Sequence, residues 1–252
     1  MTLALFLECK NGVVVASDTQ STIGNMMKRS GASKINEIND RIIWAGSGDE
    51  AFLSDIDDEI KNLKGFNFIR NGMSMEQIKE IISNKVYSVF VKYKKKYDKL
   101  SMEPPKGTMI IATFGKENCY CNGLLMTFTG TAYKINEGYE AIGSSKAYAE
   151  VLLKSYYDKD MDFEKGVRLS HWIINQCSKT DLFVNENVTI YVIKINDDNK
   201  AIIEKISDEK ITELKNVSEQ TTDVFRSIYH QMDIASLMNL LLENSSKESN
   251  IN

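Results

Sequence analysis

The chain has 252 residues, a formal net charge of −4 and 42% hydrophobic residues. That apolar share suffices for a full core, which argues against a disordered chain, and the acidic balance argues against a nucleic-acid surface. No apolar run approaches the ~20 residues that span a bilayer, and the apolar stretch Leu3 to Leu7 lacks the charged flank of a signal peptide, so a cytoplasmic protein without membrane association is expected.

In that compartment the four cysteines, Cys9, Cys119, Cys121 and Cys177, are expected as reduced thiols. The only histidines are His171 and His230, which leaves little for a histidine-based triad or a zinc site. His171, beside Trp172 in a helical stretch, reads as a packed or surface residue. Cys119-Tyr120-Cys121 puts two thiols on one strand face but has no second pair at metal spacing. No cofactor and no metal are expected.

Residues 2–10 form a nearly continuous apolar run, followed by Asn11-Gly12 and then Val13 to Ser17. Asn-Gly between two β-rich runs signals a hairpin. With a two-residue loop at Asn11-Gly12, Lys10 faces Val13, Leu5 faces Asp18 and Thr2 faces Ser21. Asp18 then lies within ~10 Å of the N-terminus at the usual strand rise. Removal of Met1 would make Thr2 the first residue. A bare N-terminal threonine carries its own base, because the α-amine can accept the hydroxyl proton. That amine has a pKa of ~7.7–8.0 and is substantially neutral near pH 7. On position alone, Thr2 reads simply as the second residue of a strand.

Ser33 to Ile38 reads as a third strand carrying Lys34, and Arg41 to Ala45 as a fourth. Gly46-Ser47-Gly48-Asp49 breaks the fourth strand and opens a helix with Phe52, Leu53, Ile56, Ile60 and Leu63 on one face, stopped by Gly65. A second helix starts at Ser74, where Ser74-x-x-Gln77 forms a possible capping box. The basic run from Lys92 to Lys96 at its C-terminal end suits the helix macrodipole and reads as a solvated face. Pro104-Pro105-Lys106-Gly107 is the clearest linker. Strands follow at Thr108–Phe114, Asn118–Met126 and Thr127–Lys134. Glu140 to Gly143 leads into a helix over 144–157, and a further helix spans about 162–179. Strands at Asn187–Ile195 and Lys200–Ile206 close the pattern. Paired helices between blocks of antiparallel strands give an α+β, four-layer αββα sandwich over residues 1–206. Residues 207–252 read as a helical extension, with Val224, Phe225, Ile228, Met232, Leu237, Leu240 and Leu241 on an amphipathic helix and a frayed polar end from Glu243 to Asn252.

Thr2 opening the first strand, the run Asp18-Thr19-Gln20-Ser21-Thr22-Ile23-Gly24-Asn25 and Ser33-Lys34-Ile35 together resemble the β-type subunits of the proteasome. The Asp-x-Gln-x-Thr-x-Gly-Asn run looks most like the bacterial HslV protease. The likeness continues at Ala45-Gly46, Ala141-Ile142-Gly143-Ser144, Asp181 and the strand Val188 to Ile193, and covers about residues 2–200. The resemblance implies an N-terminal-nucleophile hydrolase. Thr2 would be the nucleophile and Lys34 would ease removal of its hydroxyl proton. Asp18 would hold Lys34, the Gly46 N–H would face the oxyanion, and Ser144 and Asp181 would orient the Thr2 amine. It implies cleavage of peptides or unfolded proteins inside a homo-oligomeric ring, with an ATP-dependent unfoldase or other proteasome-type subunits as partners.

Several readings stay open at this level. Asp18 and Lys34 could form an ordinary surface ion pair, Gly46 could be a turn glycine with Gly48 as the oxyanion donor, and Ser144 could be a helix N-cap. The serine that many relatives carry three residues beyond the Asp181 position is Val184 here. Trp44 stands where the family lines its specificity pocket, and its indole would shrink that pocket in favour of small residues. The extension leaves room for a free-standing amidase or transpeptidase like connectase. A chain that kept Met1 would be a non-catalytic ring subunit.

Overall fold

The computed structural model describes residues 2–23, 27–29, 31, 33–39, 41–64, 74–114, 121–195 and 201–231. Strands β1 (Leu3–Cys9) and β2 (Gly12–Asp18) form the N-terminal hairpin, but in a different register from the one expected. Cys9 pairs with Gly12 and Ala4 with Ser17, so the loop is Lys10-Asn11 and Gly12 belongs to the strand. Packing overrides the local turn signal: a Cβ on Gly12 would be driven into the carbonyl oxygen of Ile193 on the neighbouring strand. The shift carries Asp18 two residues closer to the chain start than the sequence suggests.

A small hairpin of β3 (Ser21–Ile23) and β4 (Met27–Arg29) follows, which the sequence reading did not foresee; Gly24 and Asn25 of the motif lie outside the described residues. Strands β5 (Ile35–Asn39) and β6 (Ile42–Gly48) pair next. Contrary to expectation, Gly46-Ser47-Gly48 does not break β6 but continues it, paired with Met109, Thr108 and Gly107. A Cβ on Gly48 or on Gly107 would strike the Phe128 ring, so these glycines allow close approach. Helix α1 (Glu50–Lys64) starts where the Asp49 Oδ1 accepts the Phe52 N–H at 2.9 Å; Gly65, its expected stop, lies outside the described residues. Helix α2 (Met75–Lys99) opens with the capping box of Ser74 and Gln77 complete. On it, Lys92 pairs with Glu59 and Lys94 with Asp98, on an exposed face.

The second half contributes β7 (Gly107–Phe114), β8 (Cys121–Thr127), β9 (Ala132–Lys134) and β10 (Tyr139–Gly143), then α3 (Lys146–Tyr156), α4 (Phe163–Ser178), β11 (Val188–Ile195), β12 (Ala201–Lys205) and α5 (Asp208–Gln231). Residues 139–143, read only as a lead into a helix, form a full strand because β1 needs a partner on its outer side. Cys119, Tyr120, Met232 and the apolar positions beyond it, and the end from Glu243 lie outside the described residues.

One sheet has the order β10-β1-β2-β11-β12 and the other β5-β6-β7-β8-β9, all antiparallel. Strand periodicity sorts the side chains into three apolar layers. Leu3, Leu5 and Leu7 face α3, α4 and α5. Ala4, Phe6, Val13 and Val15 meet Ile43, Ala45, Ile110 and Ala112 between the sheets. Trp44, Met109 and Ile111 pack on the other side against α1 and α2. Each fully buried Leu, Ile or Phe contributes about 1.5–3 kcal/mol. The α+β, four-layer arrangement is the one expected from the sequence. None of the described helices is long and apolar enough to cross a membrane.

Candidate active site

The site forms where the two sheets end together. Thr2 precedes β1 and is nearly buried, at 6% exposure. Its carbonyl accepts the Ser144 N–H at 3.0 Å, which continues the β1–β10 ladder by one step. Gly143 makes this possible. Its φ is +113°, and a Cβ there would collide with the Thr2 carbonyl.

Asp18 ends β2 and is fully buried. Its Oδ1 accepts the Leu3 N–H at 2.8 Å and the Lys34 ammonium at 2.9 Å, and its Oδ2 accepts the Gln20 N–H at 2.9 Å. A carboxylate with three donors is well compensated for burial. The pair is not a surface ion pair, since the side chains of Lys34 and Asp18 are 9% and 0% exposed. Burial lowers the Lys34 pKa below 10.5, while Asp18 and, more remotely, Glu50 oppose that shift.

Lys34 lies one residue before β5. Ile35 pairs with Ala45, so one further step of that register brings Lys34 opposite Gly46. Gly46 sits on β6 where β5 has run out, and among the described residues no strand pairs with that edge of β6 at Gly46. Leu53 and Trp44 close the space that a Gly46 side chain would need. Gly48 lies two residues further on, with φ +148°. Trp44 is 2% exposed in the core against α1 and α2, so it fills this space and does not line an open wall.

The serine expected as a helix cap is displaced by one. Ser145 occupies the N-cap of α3 but makes no capping bond. Its hydroxyl donates to Asp181 Oδ2 at 2.6 Å, while Asp181 Oδ1 accepts the Phe183 N–H at 2.8 Å. Burial raises the Asp181 pKa, but the Ser144 and Ser145 hydroxyls and the Phe183 N–H outweigh it and hold the carboxyl below its ordinary value. Val184 is a core residue of the helix-facing layer. The loop after α4 is tied to the segment after Asp18: Gln20 Nε2 donates to the Leu182 carbonyl at 2.9 Å, and the Thr19 N–H donates to the Asn187 carbonyl and Asn185 Oδ1. Ser145, Gln20 and Asn185 were not singled out as site residues in the sequence; a Ser-Ser pair before a helix was the only signal for the first.

Thr2, Asp18, Lys34 and Ser144 are thus joined through consecutive bonds, Gly46 lies one residue past the end of the β5–β6 ladder beside Lys34, and Asp181 enters through Ser145. The family model described as "Proteasome subunit" matches residues 2–193.

The chain belongs to the proteasome subunit family.

Proteasome subunit beta 2 of Pyrococcus furiosus is 25% identical over 194 residues, 76% of this chain and 86% of the relative. Proteasome subunit alpha of Methanococcus maripaludis strain C7 is 26% identical over 213 residues, 84% of this chain and 76% of that protein. Among solved structures, Anbu (ancestral beta-subunit) from Yersinia bercovieri superposes with a TM-score of 0.74 at 13% identity, covering 92% of this chain and 98% of that one. A Gly-1 mutant of Anbu from Hyphomicrobium sp. strain MC1 gives 0.75 at 14% identity, with the same coverage. Residues 1–206 alone cannot supply 92% of this chain, so the shared fold of this proteasome-family subunit with Anbu extends into α5.

Proposed function

We propose that this proteasome-family subunit is a threonine-type endopeptidase whose nucleophile is Thr2 after removal of Met1. The Thr2 hydroxyl loses its proton to the Thr2 amine as its oxygen attacks the peptide carbonyl. The oxyanion is met by backbone N–H at the edge of β6, at Gly46, a class of interaction worth about 3–4 kcal/mol in the transition state. The leaving amine takes the proton, and the threonyl ester is then hydrolysed by water. Lys34 stabilises alkoxide character, Asp18 keeps Lys34 charged and aimed, and Asp181 with Ser144 and Ser145 orients the Thr2 amine.

The single observation that carries this reading is the Asp18 carboxylate. It is fully buried and bonded both to the Leu3 N–H and to the Lys34 ammonium. A buried ion pair is costly to build and contributes little net stability, yet here it fixes a cation to the backbone one residue from Thr2. Family membership supports assembly into a ring of subunits in the cytoplasm, with an ATP-dependent unfoldase or other proteasome-type subunits as partners and unfolded protein as substrate.

A peptide epoxyketone tests the reading, since that warhead closes a ring with both the hydroxyl and the amine of an N-terminal threonine. Intact mass first establishes that Met1 is gone. An adduct on Thr2 in the wild type, lost in Lys34→Ala, is the expected result. Absence of any adduct on protein that lacks Met1 would sink the proposal.

A further inference from the structure

Helix α5 carries two apolar stripes, and its own domain uses only one. Ile211 and Leu214 pack into the apolar layer beside α4. Val217, Val224, Phe225 and Ile228 form a second stripe at helical spacing, and each of them is between 42% and 56% exposed. Phe225 also lines a groove of about 220 Å³ in which the Tyr156 and Trp172 rings meet edge to face at 5.1 Å. Large apolar side chains gathered half in water mark a surface that gains from being covered.

The chain brings a cover of matching chemistry to the same place. Helix α5 is described to Gln231, about one turn past Ile228, and residues 232–252 follow it. Ile234, Leu237, Met238, Leu241 and Leu242 recur at the spacing of one helical face, with Asp233 in front of them as an N-cap residue type. Continued straight on from α5, that face would point away from the stripe, because Leu237 follows Ile228 by about two and a half turns at 3.6 residues per turn. A reversal at Met232-Asp233, a loop length usual in an αα-hairpin, brings the two faces together. Leu237 then stands opposite Ile228, and Leu241 opposite Val224. The short connection gives this segment a high effective concentration at the stripe, which a second copy does not have.

We propose that residues 234–242 form a helix that folds back onto α5 of the same chain, closing the exposed stripe and the groove beside it. The inference is independent of the Thr2 chemistry. It makes this face of α5 an interior surface, closed to a second copy and to other proteins.

The test uses the full chain with Val224→Cys and Leu241→Cys, together with Cys119→Ser and Cys121→Ser; Cys9 and Cys177 are buried. A short bis-maleimide is expected to bridge the two introduced thiols within one chain, giving a monomer on a denaturing gel and a single bridging reagent by intact mass. A cross-linked dimer would show that a second copy covers the stripe and overturns the proposal. So does a product in which each thiol carries its own reagent. A second measurement covers the case in which the paired substitutions disturb the contact: the rate at which a monofunctional maleimide labels Val224→Cys alone. Adding Leu237→Asp and Leu241→Asp is expected to raise that rate at least ten-fold, since burial of those two leucines holds the cover in place. Equal rates with and without the two aspartates reject the fold-back.

Discussion

At the scale of single residues, the Asp18–Lys34 pair and Gly143 make the strongest demands. Asp18→Asn keeps the side-chain size but leaves a buried ammonium without its counter-charge. It is expected to destabilise the chain by about 3–5 kcal/mol in urea unfolding and to slow Thr2 labelling at least ten-fold. Gly143→Ala forces φ +113° on a residue with a Cβ and pushes it into the Thr2 carbonyl. Thr2 labelling should fail there even where circular dichroism shows the sheets intact; unchanged labelling would mean that the Thr2 carbonyl is not held by Ser144. The nearness of Asp18 to Thr2 was legible from the hairpin, although its register differs by two residues, whereas Lys34 was brought to them by the resemblance to proteasome β-type subunits. Ser145 was not legible. Which of two adjacent serines turns toward Asp181 depends on where α3 starts, and helix boundaries shift by a residue for reasons that are tertiary. The use of Trp44 as filling beside Gly46 was equally hidden, since the sequence placed it near the site without saying which way the indole packs.

At the scale of elements, local signals succeeded where the element governs itself. Ser74 and Gln77 cap α2 by their own side chains. They failed where a neighbour decides. Gly12 reads as a turn residue but is needed for the approach of β11, and Gly46 to Gly48 read as a break but extend β6. Gly12→Ala is therefore expected to lower the urea midpoint through separation of β2 from β11, with a cost of at least 1–3 kcal/mol. A merely entropic effect of removing a loop glycine would raise the midpoint instead.

The α4–α5 contact has its own pH dependence. His171 is fully buried, its Nδ1 lies 2.9 Å from the Ser218 hydroxyl, and burial, aided by the Lys215 charge, lowers its pKa to about 4. The unfolded imidazole takes up a proton near pH 6.5 while the folded one resists it. The stabilisation is therefore complete above about pH 6.5 and is lost as pH falls toward about 4. Between pH ~7 and pH ~5 the loss should reach about 2 kcal/mol at most, and His171→Gln should flatten that part of the profile.

At the scale of the whole molecule, α5 is the feature that extends the fold beyond residue 206. Leu214 and Ser218 are buried against α4, and Gln176 donates to the Thr222 hydroxyl at 2.9 Å. A chain ended after Ile206 uncovers His171 and exposes Tyr156, Leu169 and Trp172, the α3–α4 side of an apolar groove of about 220 Å³ whose other side, with Leu214 and Phe225, belongs to α5. It is expected to melt at least several degrees lower and to precipitate on heating; a truncated chain with unchanged melting would show α5 to be dispensable for stability.

The central position of β2 has a consequence for synthesis. Asp18 lies between β1 at the start of the chain and Val188 of β11 near its other end, and the Thr19 N–H is held by Asn187. A polypeptide still emerging from the ribosome lacks β11 until some 190 residues have been made. The carboxylate that anchors Lys34 is then unsupported on one side. The segment around Thr2 and Asp18, although translated early, is assembled among the last parts of the molecule, so the arrangement proposed above as reactive does not exist until the chain is nearly finished.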